Sequence, residues 1–159
     1  MSRISFLSLV FAWVAIPSCV FATEPLHDGF SYQGRTGNIF PDKCCWMELP
    51  ASQRLTEIRQ GEQCSALGGP VGEFEYSNGK LWLTELRRCG GKIPLAEVYP
   101  KTRESIFANW LTGKFNARIG HMCRDANFKS IYESEIELTV KDGVVTSLVE
   151  SKNDRSLCK

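Results

Sequence analysis

The chain has 159 residues, 43% of them hydrophobic and 23% charged, with a formal net charge of +1. That composition belongs to a globular chain and excludes a disordered or fibrous one. The charge balance argues against general nucleic-acid binding, which needs a basic stripe to displace counterions from phosphates.

Arg3 precedes an apolar run over residues 4–16 that stops at Pro17, the pattern of a secretory signal peptide. Val20-Phe21-Ala22 places suitable residues three and one positions before a cut, so residues 1–22 are expected to be removed after Ala22. Residues 23–159 then form a single α+β domain. Residues 4–22 are just long enough to span a membrane, but Pro17, Ser18 and Cys19 interrupt them. Residues 16–19 also loosely resemble the box before an acylated cysteine, with Cys19 carrying the lipid, although Pro17 fits that box poorly. The expected location is periplasmic or secreted, and the membrane is met only through the cleaved signal or through lipidation at Cys19.

Cys44, Cys45, Cys64, Cys89, Cys123 and Cys158 remain after either processing route. An even set in an oxidising compartment means up to three disulfides, each stabilising by about 2–4 kcal/mol through restriction of the unfolded chain. Adjacent Cys44 and Cys45 are expected to bond separate partners, because a bond between them would strain the intervening peptide. No C-x-x-C occurs, so neither a zinc site nor any cofactor is expected.

Residues 23–50 mix glycine, proline and single aromatics and read as irregular chain with a short strand near 31–33. A helix follows over 52–60, with Leu55 and Ile58 on one face and Gly61 as its stop. From Gly72 the pattern alternates, and Asn78-Gly79 is a preferred pair for a two-residue type I′ turn. The hairpin this predicts pairs Ser77 with Lys80, Tyr76 with Leu81, Glu75 with Trp82, Phe74 with Leu83 and Glu73 with Thr84.

Ile106, Phe107, Trp110, Leu111, Phe115 and Ile119 recur at three- and four-residue spacing, which predicts a second helix over 102–122, with Gly113 a weak point within it. Asp142-Gly143 then predicts a hairpin joining 131–140 to 144–151, with Val140 opposite Val145, Leu138 opposite Ser147, Ile136 opposite Val149 and Glu150 across from Glu135. The resulting fold is α+β: a mostly antiparallel sheet built from two hairpins, covered by the second helix and stapled by disulfides. The order helix, hairpin, helix, hairpin also admits an α-β-β repeat.

Catalytic patterns are few. Ser77-Asn78-Gly79-Lys80 matches S-x-x-K, but that chemistry needs a helix N-terminus and Asn-Gly makes a hairpin tip. His27 and His121 could form an acid/base pair for RNA cleavage, though one lies in the N-terminal segment and the other near the end of the second helix. What stands above background is an acidic sheet face. Glu133, Glu135 and Glu137 form a ladder, and the first hairpin adds Glu73, Glu75 and Trp82 on its non-core side.

An exported protein-binding module of the inhibitory or immunity type is the leading expectation, with another protein as partner and no nucleic acid; the acidic face with its aromatic suits a basic protein or a sugar. An RNase-type hydrolase using His27 and His121, or a structural envelope protein, is the alternative. Intact-mass spectrometry of the exported protein should find a chain beginning at Thr23 and about 6 Da lighter than its reduced form. A lipid on Cys19, or free thiols at most of the six positions, contradicts this reading.

Overall fold

The computed structural model describes residues 26–43, 46–61, 69–102, 104–156 and 158. The expected signal peptide over 1–22, with Cys19, lies outside them, as do Cys44, Cys45 and Cys64.

Three hairpins with two-residue turns build most of the sheet. Strands β1 (Asp28–Tyr32) and β2 (Arg35–Pro41) form the first. Helix α1 (Gln53–Gly61) precedes the second, made of β3 (Val71–Ser77) and β4 (Lys80–Arg88). Short elements follow: β5 (Gly91–Ile93), α2 (Leu95–Val98) and β6 (Ile106–Phe107). Strand β7 (Gly113–Ile119) returns to the main sheet, and β8 (Cys123–Arg124) with β9 (Ser130–Ile131) forms a small ribbon. The third hairpin joins β10 (Ser134–Lys141) to β11 (Val144–Lys152).

The three turns share one chemistry. Gln33 and Gly34, Asn78 and Gly79, and Asp142 and Gly143 all have φ between 49° and 77°. Positive φ at both central residues defines the type I′ turn, whose twist matches that of the strands it joins. Helix α1 starts where the Ser52 hydroxyl accepts the Leu55 N–H at 3.0 Å, and it buries Leu55 and Ile58.

The strands run in the order β11-β10-β7-β2-β1-β3-β4-β5, with β6 also on β4; β1 and β3 are parallel and the other pairs antiparallel. A further pairing, Val144 with Lys80, joins β11 to β4 and closes seven of these strands into a ring. At this seam the Leu81 N–H donates to the Gly143 carbonyl at 2.9 Å and the Val145 N–H to the Gly79 carbonyl at 2.8 Å. Inward side chains fill the ring: Phe30, Ile39, Phe74, Leu81, Leu83, Ile119, Ile136 and Leu138 are all at most 1% exposed.

The fold is therefore mostly β and mixed, which corrects the α+β expectation, its covering helix and the α-β-β repeat. Residues 102–122 hold no helix among those described; they hold β6, a turn and β7. Phe115, Ala117 and Ile119 face inward at period two while Lys114 and Arg118 face out. Gly113 takes φ +148° at the start of the strand. An irregular apolar stretch over 106–111 followed by an alternating strand had mimicked helical spacing.

Within the N-terminal segment, residues 28–41 form a hairpin in place of the expected irregular chain, while the described residues 42–43 and 46–50 hold no strand or helix. The hairpin joins β1 and β2 around a Gln-Gly turn, which lacks the Asn or Asp that marks the other two hairpins.

Two bulges correct the registers. Glu73 lies opposite Glu85 rather than Thr84, with the shift between Glu73 and Phe74. Past the shift at Thr139/Val140, Leu138 meets Leu148 and Ile136 meets Glu150. One extra residue exchanges the two faces of everything beyond it. Leu148 and Glu150 consequently turn inward, Val149 is 58% exposed, and Glu135 faces Ser151.

Polar groups secure both rims of the ring. The buried Asp28 carboxylate accepts the Met47 N–H at 2.6 Å and the Gly72 N–H at 2.7 Å, tying β1 to β3 and to the segment before α1. Burial outweighs these two bonds and pushes its pKa up to about 6. At the opposite rim Arg35 of β2 reaches across β7 and β10 to grip Glu150 of β11 with bonds of 2.7 and 3.0 Å, and donates to the Ser134 hydroxyl at 3.2 Å. Those bonds pull the Glu150 carboxyl down to about 2, so the stability they contribute is present above the ordinary carboxylate range and is lost as pH falls through about 2. The disulfide Cys123–Cys158 fastens the C-terminus to the ribbon, and Cys89 is also disulfide-bonded.

Two predictions follow from the rims and the seam. A side chain at Gly34 meets open space, whereas one at Gly143 would lie 2.7 Å from the Ala108 carbonyl oxygen. Denaturant unfolding should show Gly34→Ala costing about 1 kcal/mol, from left-handed backbone alone, and Gly143→Ala about 1–3 kcal/mol more. Equal losses would mean that the seam carries no load. Asp28 binds its proton more tightly folded than unfolded, so its share of stability is largest below pH 3.8 and falls as pH rises towards 6. Relative to Asp28→Asn, the wild-type protein should lose on the order of 2–3 kcal/mol of unfolding free energy between pH 3.5 and 7. A constant difference over that range would show that Asp28 is not raised.

Candidate functional site

Trp82 projects from the outer face of β4 opposite Glu75, while its neighbours Leu81 and Leu83 are wholly buried inside. Strand β6 half-covers it: Phe107 pairs with Trp82 across the strands, and the ring centroids are 5.5 Å apart. Beside the indole lies a groove of about 330 Å³ lined by Glu75, Ser77, Trp82, Thr84, Glu104 and Ser105. Glu75 and Glu104 are exposed, so among the described lining residues an aromatic floor carries a carboxylate border, while the Lys80 ammonium lies 5.2 Å from the Phe107 ring centroid beside it.

Glu73 does not join this groove. Its carboxylate folds over Gly29 of the neighbouring strand and pairs with Arg87 at 2.8 Å. Burial raises its pKa against the pull of Arg87.

The ladder on β10 stands elsewhere on the ring, separated from β4 by β11 on one side and by β7, β2, β1 and β3 on the other. Two of its three carboxylates meet cations. Glu135 lies opposite Arg118 of β7 with the charges 3.7 Å apart, and Glu133 meets Arg155 at 3.5 Å. Glu137 faces Asn116 and stays exposed. The Arg118 guanidinium also lies 5.1 Å from the Phe40 ring centroid. Arg118 and Arg155 thus each offset one carboxylate of the acidic face, and the helical reading of 102–122 gives no sign of the cross-strand Arg118.

The histidines are not brought together. His27 precedes Asp28, whose strand partner Ile39 pairs with Ala117, whereas His121 follows the far end of β7. Strand geometry puts them on the order of 15 Å apart. Ser77 and Lys80 flank the Asn78-Gly79 turn at a hairpin tip. Among the described residues no group of three or more His, Cys, Asp or Glu is placed to hold a metal, and no helix is long and apolar enough to cross a membrane.

Two aromatic features escaped the sequence reading. Phe128 is 77% exposed at φ +62°, in the loop between β8 and β9. The Asp125 side chain steadies that loop by accepting the Asn127 and Lys129 N–H groups at 2.8 and 2.9 Å. At the other end of the ring, Trp46 and Trp110 border a groove of about 260 Å³ floored by Pro41 and Phe115 and edged by Glu48. The alternation Trp46-Met47-Glu48-Leu49 was the available signal for this groove. Trp110 lies in a turn after β6 rather than on the helix that its spacing to Phe107 and Leu111 suggests.

Against known proteins, no family model matches the chain, and no solved structure matches it. It is similar to a methionine synthase reductase of Caenorhabditis elegans, 26% identical over a 154-residue alignment that takes in 79% of this chain. The chain spans 22% of that protein's length, a likeness too partial to assign fold or activity.

Proposed function

We propose that the chain is an exported, disulfide-stabilised module, periplasmic or secreted, that binds or inhibits a basic protein through the groove beside Trp82. The carrying observation is the half-covered indole with Glu75 and Glu104 at its border. A large aromatic left partly exposed on a sheet face is an anchor for an interface, and border charges of one sign steer an oppositely charged partner. Tight filling of the ring supports placing the function outside it, because the strands leave their inward side chains packed on one another.

The partner is to be obtained by affinity capture from the envelope or culture fluid of the producing organism. Trp82→Ala should then weaken its binding about 30-fold, on the order of 2 kcal/mol, with little change in denaturation midpoint. Neutralising Glu75 and Glu104 together should slow association and flatten its salt dependence. If Trp82→Ala unfolds the protein while the remaining folded fraction binds normally, the residue is core and the groove is not the site.

A further inference from the structure

The segment before α1 is pinned at three consecutive residues. The Trp46 indole N–H donates to the Leu26 carbonyl at 3.0 Å, the Met47 N–H to Asp28 at 2.6 Å, and the Trp110 indole N–H to the Glu48 carbonyl at 2.8 Å. Met47 and Leu49 are buried while Trp46 and Glu48 are exposed, the alternation of an extended run, so Trp46 and Glu48 stand on the same side. Trp110 lines the same groove, itself fixed by its bond to this segment. Fixed rings of this kind form a recognition surface that needs no ordering when a ligand arrives.

The chemistry of the groove is one-sided. Both indole N–H groups are already donated to backbone carbonyls, so the tryptophans offer a ligand only carbon surface and electron-rich faces. Thr112 has its hydroxyl engaged with Asp142, accepting the backbone N–H at 2.9 Å. Glu48 is the ionisable residue among the described lining groups, and it is exposed.

Aromatic faces with a single carboxylate attract a cation and repel an anion. The shortage of acceptors discriminates further. A guanidinium brings five N–H donors to be satisfied, whereas an N-alkylated ammonium brings few or none and presents an apolar skin. We propose that the Trp46–Trp110 groove is a binding site for an alkylated ammonium group, held between the two indoles with Glu48 as its counter-ion. This assignment does not depend on the Trp82 groove.

The full chain is titrated with tetramethylammonium chloride against sodium chloride at matched ionic strength, following the indole N–H resonances of Trp46, Trp110 and Trp82. Saturable shifts at Trp46 and Trp110, with Trp82 unmoved, are expected in the millimolar range. Glu48→Gln should weaken the binding about fivefold and Trp46→Leu should abolish it, while N-acetyl-arginine amide should bind about tenfold more weakly than tetramethylammonium. Should Trp46→Leu fail to fold, Glu48→Gln decides alone, because its side chain is exposed and its fold is not at stake. Shifts that only track ionic strength, shifts centred on Trp82, or an unchanged affinity in Glu48→Gln would overturn the site. Arginine amide binding as tightly as tetramethylammonium would overturn the alkylammonium assignment.

Discussion

Where β4 meets β11, two hairpin tips approach through backbone alone. The Asn78-Gly79 tip and the Asp142-Gly143 tip exchange main-chain hydrogen bonds, and the Gly143 N–H adds a third to the Leu111 carbonyl at 2.9 Å. Gly143 lies so close to Ala108 and Phe107 that only hydrogen fits there. Closure at this point lets seven strands share one interior, so the sheet covers its own apolar face and needs no helical layer. The two short helices are left to pack at the β4 side, where Leu95 and Val98 join Leu55 and Ile58 in the same core.

Because the seam is short, the rest of β11 is an edge. Among the described residues, 147–152 pair on one side only, with β10. Edges of this length invite pairing with other chains, and proteins blunt them with bulges and inward charges. Both devices are present here. The Thr139/Val140 shift twists the strand, and Glu150 turns into the rim, where Arg35 holds it. The bulge that defeats a simple register count is therefore also what places the rim ion pair.

The outer surface divides its aromatics and charges unequally. Across β7 and β10, Arg118 meets Glu135 while Glu137 faces Asn116 and Lys114 faces Thr139, so both signs of charge share this sheet face. At the Trp82 groove and the Trp46–Trp110 groove, carboxylates stand beside aromatic surface, and the described lining residues of either groove include no basic one. The two grooves differ in how their rings are contacted. Trp82 packs against the Phe107 ring, while both indoles of the second groove are hydrogen-bonded to the backbone.

The sequence by itself determined what is local. Asn78-Gly79 and Asp142-Gly143 placed two turns, Ser52 and Gly61 bounded α1, and alternation put Trp82 on the face away from Leu81 and Leu83, because turn chemistry and the period of side-chain direction act over a few residues. What lies between distant segments was decided only by the tertiary structure. Phe115, Ala117 and Ile119 became a strand because β2 and β10 offer hydrogen bonds on both sides, a fact absent from residues 113–119 themselves. The one-residue bulge in β11 sent Glu150 inward to Arg35, and ring closure set Trp110 against Glu48, 62 positions away. Spacing within one segment carries no record of such pairings, since their energies arise only when the partner strand arrives.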